Sequence, residues 1–112
     1  MKPTLQISNS AQLRFTVTPQ MQPQFGEKAI HPVCSTWDMA HQFEIVARQT
    51  LEPHLEDGEE GIGSFLSIDH CAPAVVGKTV LVEAKVTELD NTSVVCSITA
   101  TVGSLVCATG KQ

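Results

Sequence analysis

Residues 35–51, STWDMAHQFEIVARQTL, form the one long run whose apolar residues recur at three- and four-residue steps. Trp37, Ala40, Phe43, Ala47 and Leu51 fall on one helical stripe, and Ile45 and Val46 widen it. Ser35 with Asp38 is the S-x-x-D signal of a capped helix start, in which a hydroxyl takes up an orphaned backbone N–H. Pro53 stops the helix within a residue or two. The expected helix is about 16 residues long, roughly 24 Å.

Before it, Leu13, Phe15 and Val17 alternate with Arg14, Thr16 and Thr18, a half-buried strand. Residues 1–10 carry little pattern and are expected to be extended or loose. Pro19 and Pro23 interrupt regular structure. Residues 19–34 become a Pro- and Gln-rich connection with Phe25, Ile30 and Val33, long enough to serve as a lid over a site.

After it, EPHLEDGEEG (52–61) reads as an acidic surface connection rather than a metal site. From Ile62 the period drops to two. Ile62, Ser64, Leu66, Ile68 and His70 share one strand face, and Gly63, Phe65, Ser67 and Asp69 the other. Pro73 and Gly77 mark a crossing connection. Val80, Val82, Ala84 and Val86 form the next alternating set; Val94, Cys96, Ile98 and Ala100 follow the Asp90-Asn91 turn. Gly103-Ser104 is a hairpin signal, and Leu105 and Cys107 begin a last strand.

One strand, one long helix and four strands are buried most economically by laying the helix on an antiparallel sheet. This is the α+β architecture called a hotdog, an antiparallel sheet wrapped around one central helix, here expected as a single domain over residues 1–112. An exposed edge strand in such a fold is protected by pairing with a second copy, so a homodimer, or a tetramer built from it, is expected.

Net charge is −5, with seven Lys plus Arg and no basic run, which argues against nucleic acid as a partner. No apolar run approaches the roughly 20 residues of a membrane span. MKPTLQISNS lacks the apolar core of a secretory signal, so a cytoplasmic location is expected. None of the four cysteines forms CxxC; Cys96 and Cys107 sit in strand patterns, where a reduced Cys is a small hydrophobe.

Three residues are candidates for chemistry. Glu44 interrupts an apolar region between Phe43 and Ile45; it is either a boundary residue reaching solvent or a partly desolvated carboxylate suited to general-base work. Thr36 is either a first-turn residue or a hydroxyl at a helix N-terminus, where a developing oxyanion is favoured. His70 is either a rim histidine or a catalytic side chain at a strand end. Metal binding by His31, Cys34, His70 and Cys71 is the rival use; HPVC has i, i+3 spacing, but no second compact pair completes a zinc pattern, and no metal is expected. His41 and His54 read as solvent-facing.

These residues resemble the fluoroacetyl-CoA thioesterase family of hotdog proteins. STWDMAHQFE places Thr36 eight positions before Glu44, as that family's helix does. GSFLSIDHCAPAVVGKTVLVEAKV is similar to its strand with Gly63, then His70 seven positions on, then small residues, Pro and G-x-T-V. The interval from Glu44 to His70 matches as well, and the likeness runs from about residue 33 onward. The resemblance implies a Thr36, Glu44 and His70 catalytic set, a substrate-contacting backbone at Gly63, and hydrolysis of an acyl-CoA thioester. Coenzyme A enters as part of the substrate and no further cofactor is implied. Glu44 would act as nucleophile or as base on water, Thr36 would orient or attack, and His70 would move protons. On an ideal helix Thr36 and Glu44 stand roughly 12 Å apart along the axis and about 80° apart around it, too far for a direct hydrogen bond.

There are two departures from the family. Residues 19–34 lack its aromatic lid, which points to a short acyl group other than fluoroacetyl. The family's late substrate-contacting Arg is absent from the closing strand, where Lys111 is the nearest candidate. The alternative to an enzyme is a non-catalytic acyl-CoA or acyl-carrier binding module. A third reading is a hotdog dehydratase or hydratase using His70 and a carboxylate.

Overall fold

The computed structural model describes all residues but Gly26, Glu27, Ile30 and His31, and only the backbone of Gln24, Phe25, Lys28 and Ala29. Ser35 starts the helix as expected: its hydroxyl accepts from the Asp38 N–H at 3.2 Å. The helix α1 then runs Thr36–Leu51, 16 residues, and passes into a short 3-10 turn, Glu52–His54, that contains Pro53.

Around it the strands are β1 (Ser10–Thr16), β2 (Gln24–Phe25), β3 (Lys28–Ala29), β4 (Ser67–His70), β5 (Thr79–Leu89), β6 (Val94–Val102) and β7 (Leu105–Lys111). Five of them form one sheet in the order β1-β5-β6-β7-β4, with every neighbouring pair antiparallel. Helix α1 lies across β5, flanked by β1 and β6. The alternating sets meet it there: Val80, Val82, Ala84 and Val86 of β5, and Cys96, Ile98 and Ala100 of β6, are all buried. This is the hotdog architecture, with β1 and β4 as the free edges.

Several sequence expectations need correction. The helix buries Met39, Phe43, Val46, Ala47 and Thr50, whereas Trp37 is 55% exposed. The stripe is centred on Phe43, and at about 100° per residue Trp37 stands roughly 120° away from it. The strand expected from Ile62 is paired only from Ser67. Ser67 partners Lys111 of β7, and residues 62–66 belong to no strand among the described residues. That stretch leaves Ile62 and Phe65 exposed.

Leu105 is exposed too, because the β6–β7 register shifts between Ala100 and Thr101; the extra residue there lets Cys107 and Ala108 both be buried. The β2–β3 ladder is a feature the patterning does not reveal. The N-terminal residues are tied down: Leu5 is buried, and the Met1 ammonium lies 2.7 Å from a Glu59 carboxylate oxygen. The lid expectation for Phe25 and Ile30 falls outside what is described of their side chains, and His31 lies outside the described residues.

Two glycines are positional. Gly103 takes φ +58° in the β6–β7 turn, a conformation that favours glycine. At Gly110 a Cβ would lie 2.0 Å from the Ser67 carbonyl oxygen and 3.1 Å from the Phe43 ring. The edge strand β4 can therefore close on β7 beneath α1 only if residue 110 has no side chain.

Candidate active site

The N-terminus of α1 and the end of β4 meet. Thr36 is the first helical residue, and Oγ1 of its side chain lies 3.1 Å from Nδ1 of His70, in hydrogen-bonding contact. In the tautomer protonated at Nε2, the Thr36 hydroxyl donates to Nδ1. Nε2 of the ring is buried and has no partner among the described residues. Burial pushes the imidazole below its ordinary value, with the Ala72 carbonyl pulling back in part, so His70 is neutral near pH 7. A neutral imidazole in contact with a hydroxyl is a proton acceptor in place.

The helix start adds donors. Of the four N–H groups that lack a helical partner, that of Ser35 donates to the Met21 carbonyl and that of Asp38 to the Ser35 hydroxyl, while the Met39 N–H makes the first regular helical bond, to the Ser35 carbonyl. The N–H groups of Thr36 and Trp37 are left at the positive end of the helix, with no acceptor among the described residues. These features open on a cleft of about 330 Å³ that Thr36 and His70 line together with Cys34, Cys71 and Pro73. Cys34 in its wall is pushed up to about 11 by burial and by Asp38 and Cys107, so it stays a thiol.

Glu44 stands elsewhere. It is exposed, two turns along α1, and faces a second and larger cavity of about 590 Å³. Gly63 borders the same cavity, as do Lys111 and Gln112. Within one chain, then, Thr36 and His70 are brought together while Glu44 and Gly63 share a separate space. The chemistry points to the smaller cleft as the place of proton transfer, although the larger cavity has more room for a ligand.

No group of three or more His, Cys, Asp or Glu among the described residues is placed to share a metal ion, and all four cysteines are free. His41 is exposed; His54 is half-buried, its Nδ1 lying 2.8 Å from the Thr4 hydroxyl.

A family model for fluoroacetyl-CoA-specific thioesterases matches residues 17–112. The chain belongs to that family. Its members are thioesterases, hydrolases of thioester bonds. Among solved structures, a Thermus thermophilus thioesterase superfamily member is 32% identical, with 99% of this chain and 82% of that one covered at a TM-score of 0.93. A hot-dog-like protein from Thermanaerovibrio acidaminovorans is 23% identical over 99% of this chain and 80% of that one, TM-score 0.87. A variant of the fluoroacetyl-CoA-specific thioesterase, solved with fluoroacetate and CoA, is 24% identical over 95% of this chain and 90% of that one, TM-score 0.83. No curated protein matches the sequence.

In this thioesterase-family chain one residue of the larger cavity escapes the sequence reading. Gln112 continues β7 by one residue, its N–H and carbonyl both paired with Cys96. Its side-chain Oε1 is buried without a partner among the described residues. The signal was period two: Ala108, Gly110 and Gln112 share the side of β7 that faces α1.

Proposed function

We propose that this chain is an acyl-CoA thioesterase hydrolysing a short-chain acyl-CoA thioester, with Thr36, Glu44 and His70 as catalytic residues and the Gly63 backbone against the substrate. The observation that carries the reading is the 3.1 Å contact of Thr36 Oγ1 with His70 Nδ1 at the start of α1. The thioester carbonyl would sit at the helix N-terminus, where the free N–H groups of the first turn favour the oxyanion that forms on attack. Oxygen adds to the carbonyl carbon, the C–S bond breaks, and the departing coenzyme A sulfur takes up a proton. His70, held neutral by burial, accepts the proton of the attacking hydroxyl or water. Glu44 acts as nucleophile or as base on water, and Thr36 as nucleophile or orienting group; where either is the nucleophile, water then cleaves the acyl-enzyme, releasing the carboxylic acid and restoring the side chain. No cofactor is needed beyond the coenzyme A of the substrate.

The working form we propose is a homodimer, able to pair further into a tetramer, with its sites near the subunit interface. The exposure of Ile62 at 88% and Phe65 at 61%, next to the free edge of β4, supports this. Cytoplasmic residence is part of the same proposal, and neither nucleic acid nor membrane is among the expected partners. No helix among the described residues is long and apolar enough to cross a membrane.

One observation favours a second reading. The separation of Glu44 from Thr36 and His70 within one chain suits a non-catalytic acyl-CoA or acyl-carrier binding module. Free-thiol release from acetyl- to octanoyl-CoA, with Glu44→Gln and His70→Ala as controls, decides between them. Release that both substitutions abolish supports the enzyme. Release indifferent to both would sink the assigned site, and saturable binding without release would favour the module.

A further inference from the structure

Cys71 directly follows His70, is exposed, and lines the cleft that Thr36 and His70 share, yet it has no task in the chemistry proposed above. It has a partner across the sheet. The β4–β7 register runs from Ser67 opposite Lys111 to His70 opposite Ala108, and one step further it sets Cys71 opposite Cys107. The pairing reaches that step, because the Cys71 N–H donates to the Cys107 carbonyl at 2.8 Å. Opposed residues of an antiparallel ladder send their side chains to the same face, with Cα atoms about 5.5 Å apart at a hydrogen-bonded pair. That lies inside the roughly 4.4–6.8 Å that a disulfide spans.

In the reduced chain each thiol turns to a backbone carbonyl, Cys71 to that of Val106 at 3.6 Å and Cys107 to those of Pro73 and Leu105 at 3.8 Å. Burial pushes the Cys107 thiol up, and Cys71 beside it adds to this against a pull from the Val102 backbone. The pair is asymmetric: a small oxidant reaches the exposed Cys71 before the enclosed Cys107.

The segment after Cys71 ties the pair to the site. The Ala74 carbonyl takes the Cys34 N–H at 2.8 Å, and the Val76 N–H donates to the Pro32 carbonyl at 2.9 Å. Cys34 leads straight into Ser35, the cap that places Thr36. Turning the Cys107 sulfur toward Cys71 takes it off the Pro73 carbonyl. A shift of residues 71–74 is then passed to His70 on one side and to the helix start on the other.

We propose that Cys71 and Cys107 form a peroxide-driven dithiol switch that turns the adjoining site off. The Cys71 thiolate attacks one oxygen of a hydroperoxide, the O–O bond breaks, and the other oxygen leaves, protonated, as water or an alcohol; Cys71 becomes a sulfenic acid. The Cys107 thiolate then attacks the Cys71 sulfur, the S–O bond breaks, hydroxide leaves as water, and the S–S bond forms. The two thiols lose two electrons and the peroxide gains them. A small dithiol restores both thiols by exchange. The loss of activity rests on the acyl-CoA reading above; the disulfide does not.

The test adds hydrogen peroxide to the full chain, alkylates the remaining thiols in denaturant and maps the peptides. Free thiols should fall from four to two, with the Cys71 peptide joined to the Cys107 peptide. Acyl-CoA hydrolysis, followed by chromatography once peroxide is removed, should fall about tenfold or more and return with dithiothreitol, as expected when catalytic groups are displaced. Cys71→Ser and Cys107→Ala should form no such link, and their remaining activity should not respond reversibly to peroxide. Cys34→Ala should still form it. The wild-type map stands whether or not Cys107→Ala folds. Four thiols left free, a link from Cys34 to Cys107, a link between the Cys71 residues of two chains, or oxidation of Cys71 alone to a sulfinic acid overturns the proposal. So does a Cys71–Cys107 link that leaves activity unchanged. A reduced chain that hydrolyses no ester refutes the thioesterase reading separately; the mapped link and the acyl-CoA Kd of the two redox forms then judge the switch.

Discussion

Thr36 and His70, 34 positions apart in sequence, meet at 3.1 Å where the first turn of α1 abuts the end of the edge strand β4. Each is held from behind by a different device. Ser35 caps the helix and places Thr36, while the pairing of His70 with Ala108 on β7 places the ring. The contact thus depends on α1 and β4 both lying correctly on the sheet.

If this pair transfers the proton, His70→Ala should lower kcat/KM for thioester hydrolysis by about 10² to 10⁴. Thr36→Ala should fall in the same direction, and Thr36→Ser, which keeps the hydroxyl, should retain most activity. Steady-state kinetics with a thiol readout checks this. An active Thr36→Ala would mean that Thr36 serves only the helix start.

Burial holds His70 below the ordinary imidazole range, so it gains a proton only at a pH below about 6.5. The base form therefore predominates at neutral pH and is lost as pH falls through the lowered value. The acid limb of kcat/KM against pH should lie below about 6.5, and it should disappear from the residual activity of His70→Ala. A limb centred at or above that value would contradict the burial of the ring.

Gly110→Ala would drive a Cβ to 2.0 Å from the Ser67 carbonyl oxygen, a backbone atom that cannot swing aside. The β4–β7 pairing must open to accept it. The expected cost is about 2 kcal/mol or more, on the scale of overpacked cores. It would be seen as a lower urea midpoint, together with lost activity because His70 rides on β4. An unchanged midpoint would place β4 elsewhere.

Cys71 is exposed, whereas Cys34, Cys96 and Cys107 are buried, and burial pushes all three thiols up. Thiolate is the reactive form, so the native chain should show one fast-reacting thiol and the unfolded chain four. Cys71→Ser should remove the fast phase. A second fast thiol, if it is Cys34, would mean that the cleft beside His70 opens readily.

Much of the architecture is local and therefore readable from the chain. Ser35, Asp38 and the apolar spacing define α1 through capping and a 3.6-residue period. Alternation through Val80–Val86 and Val94–Ala100 defines two strands through a period of two. The spacings of Thr36, Glu44, Gly63 and His70 carry the family likeness. What the chain does not reveal is set by partners distant in sequence. The exposure of Leu105 depends on one extra residue in the β6–β7 register. Trp37 lies outside the core because the sheet meets the helix on the Phe43 side. The contact of Thr36 with His70, the separation of Glu44 from both, and the enclosure of the Gln112 amide arise only when helix and sheet are stacked. Periodicity is a property of neighbouring residues and survives in the sequence, whereas contact and burial belong to surfaces that meet only in the folded chain.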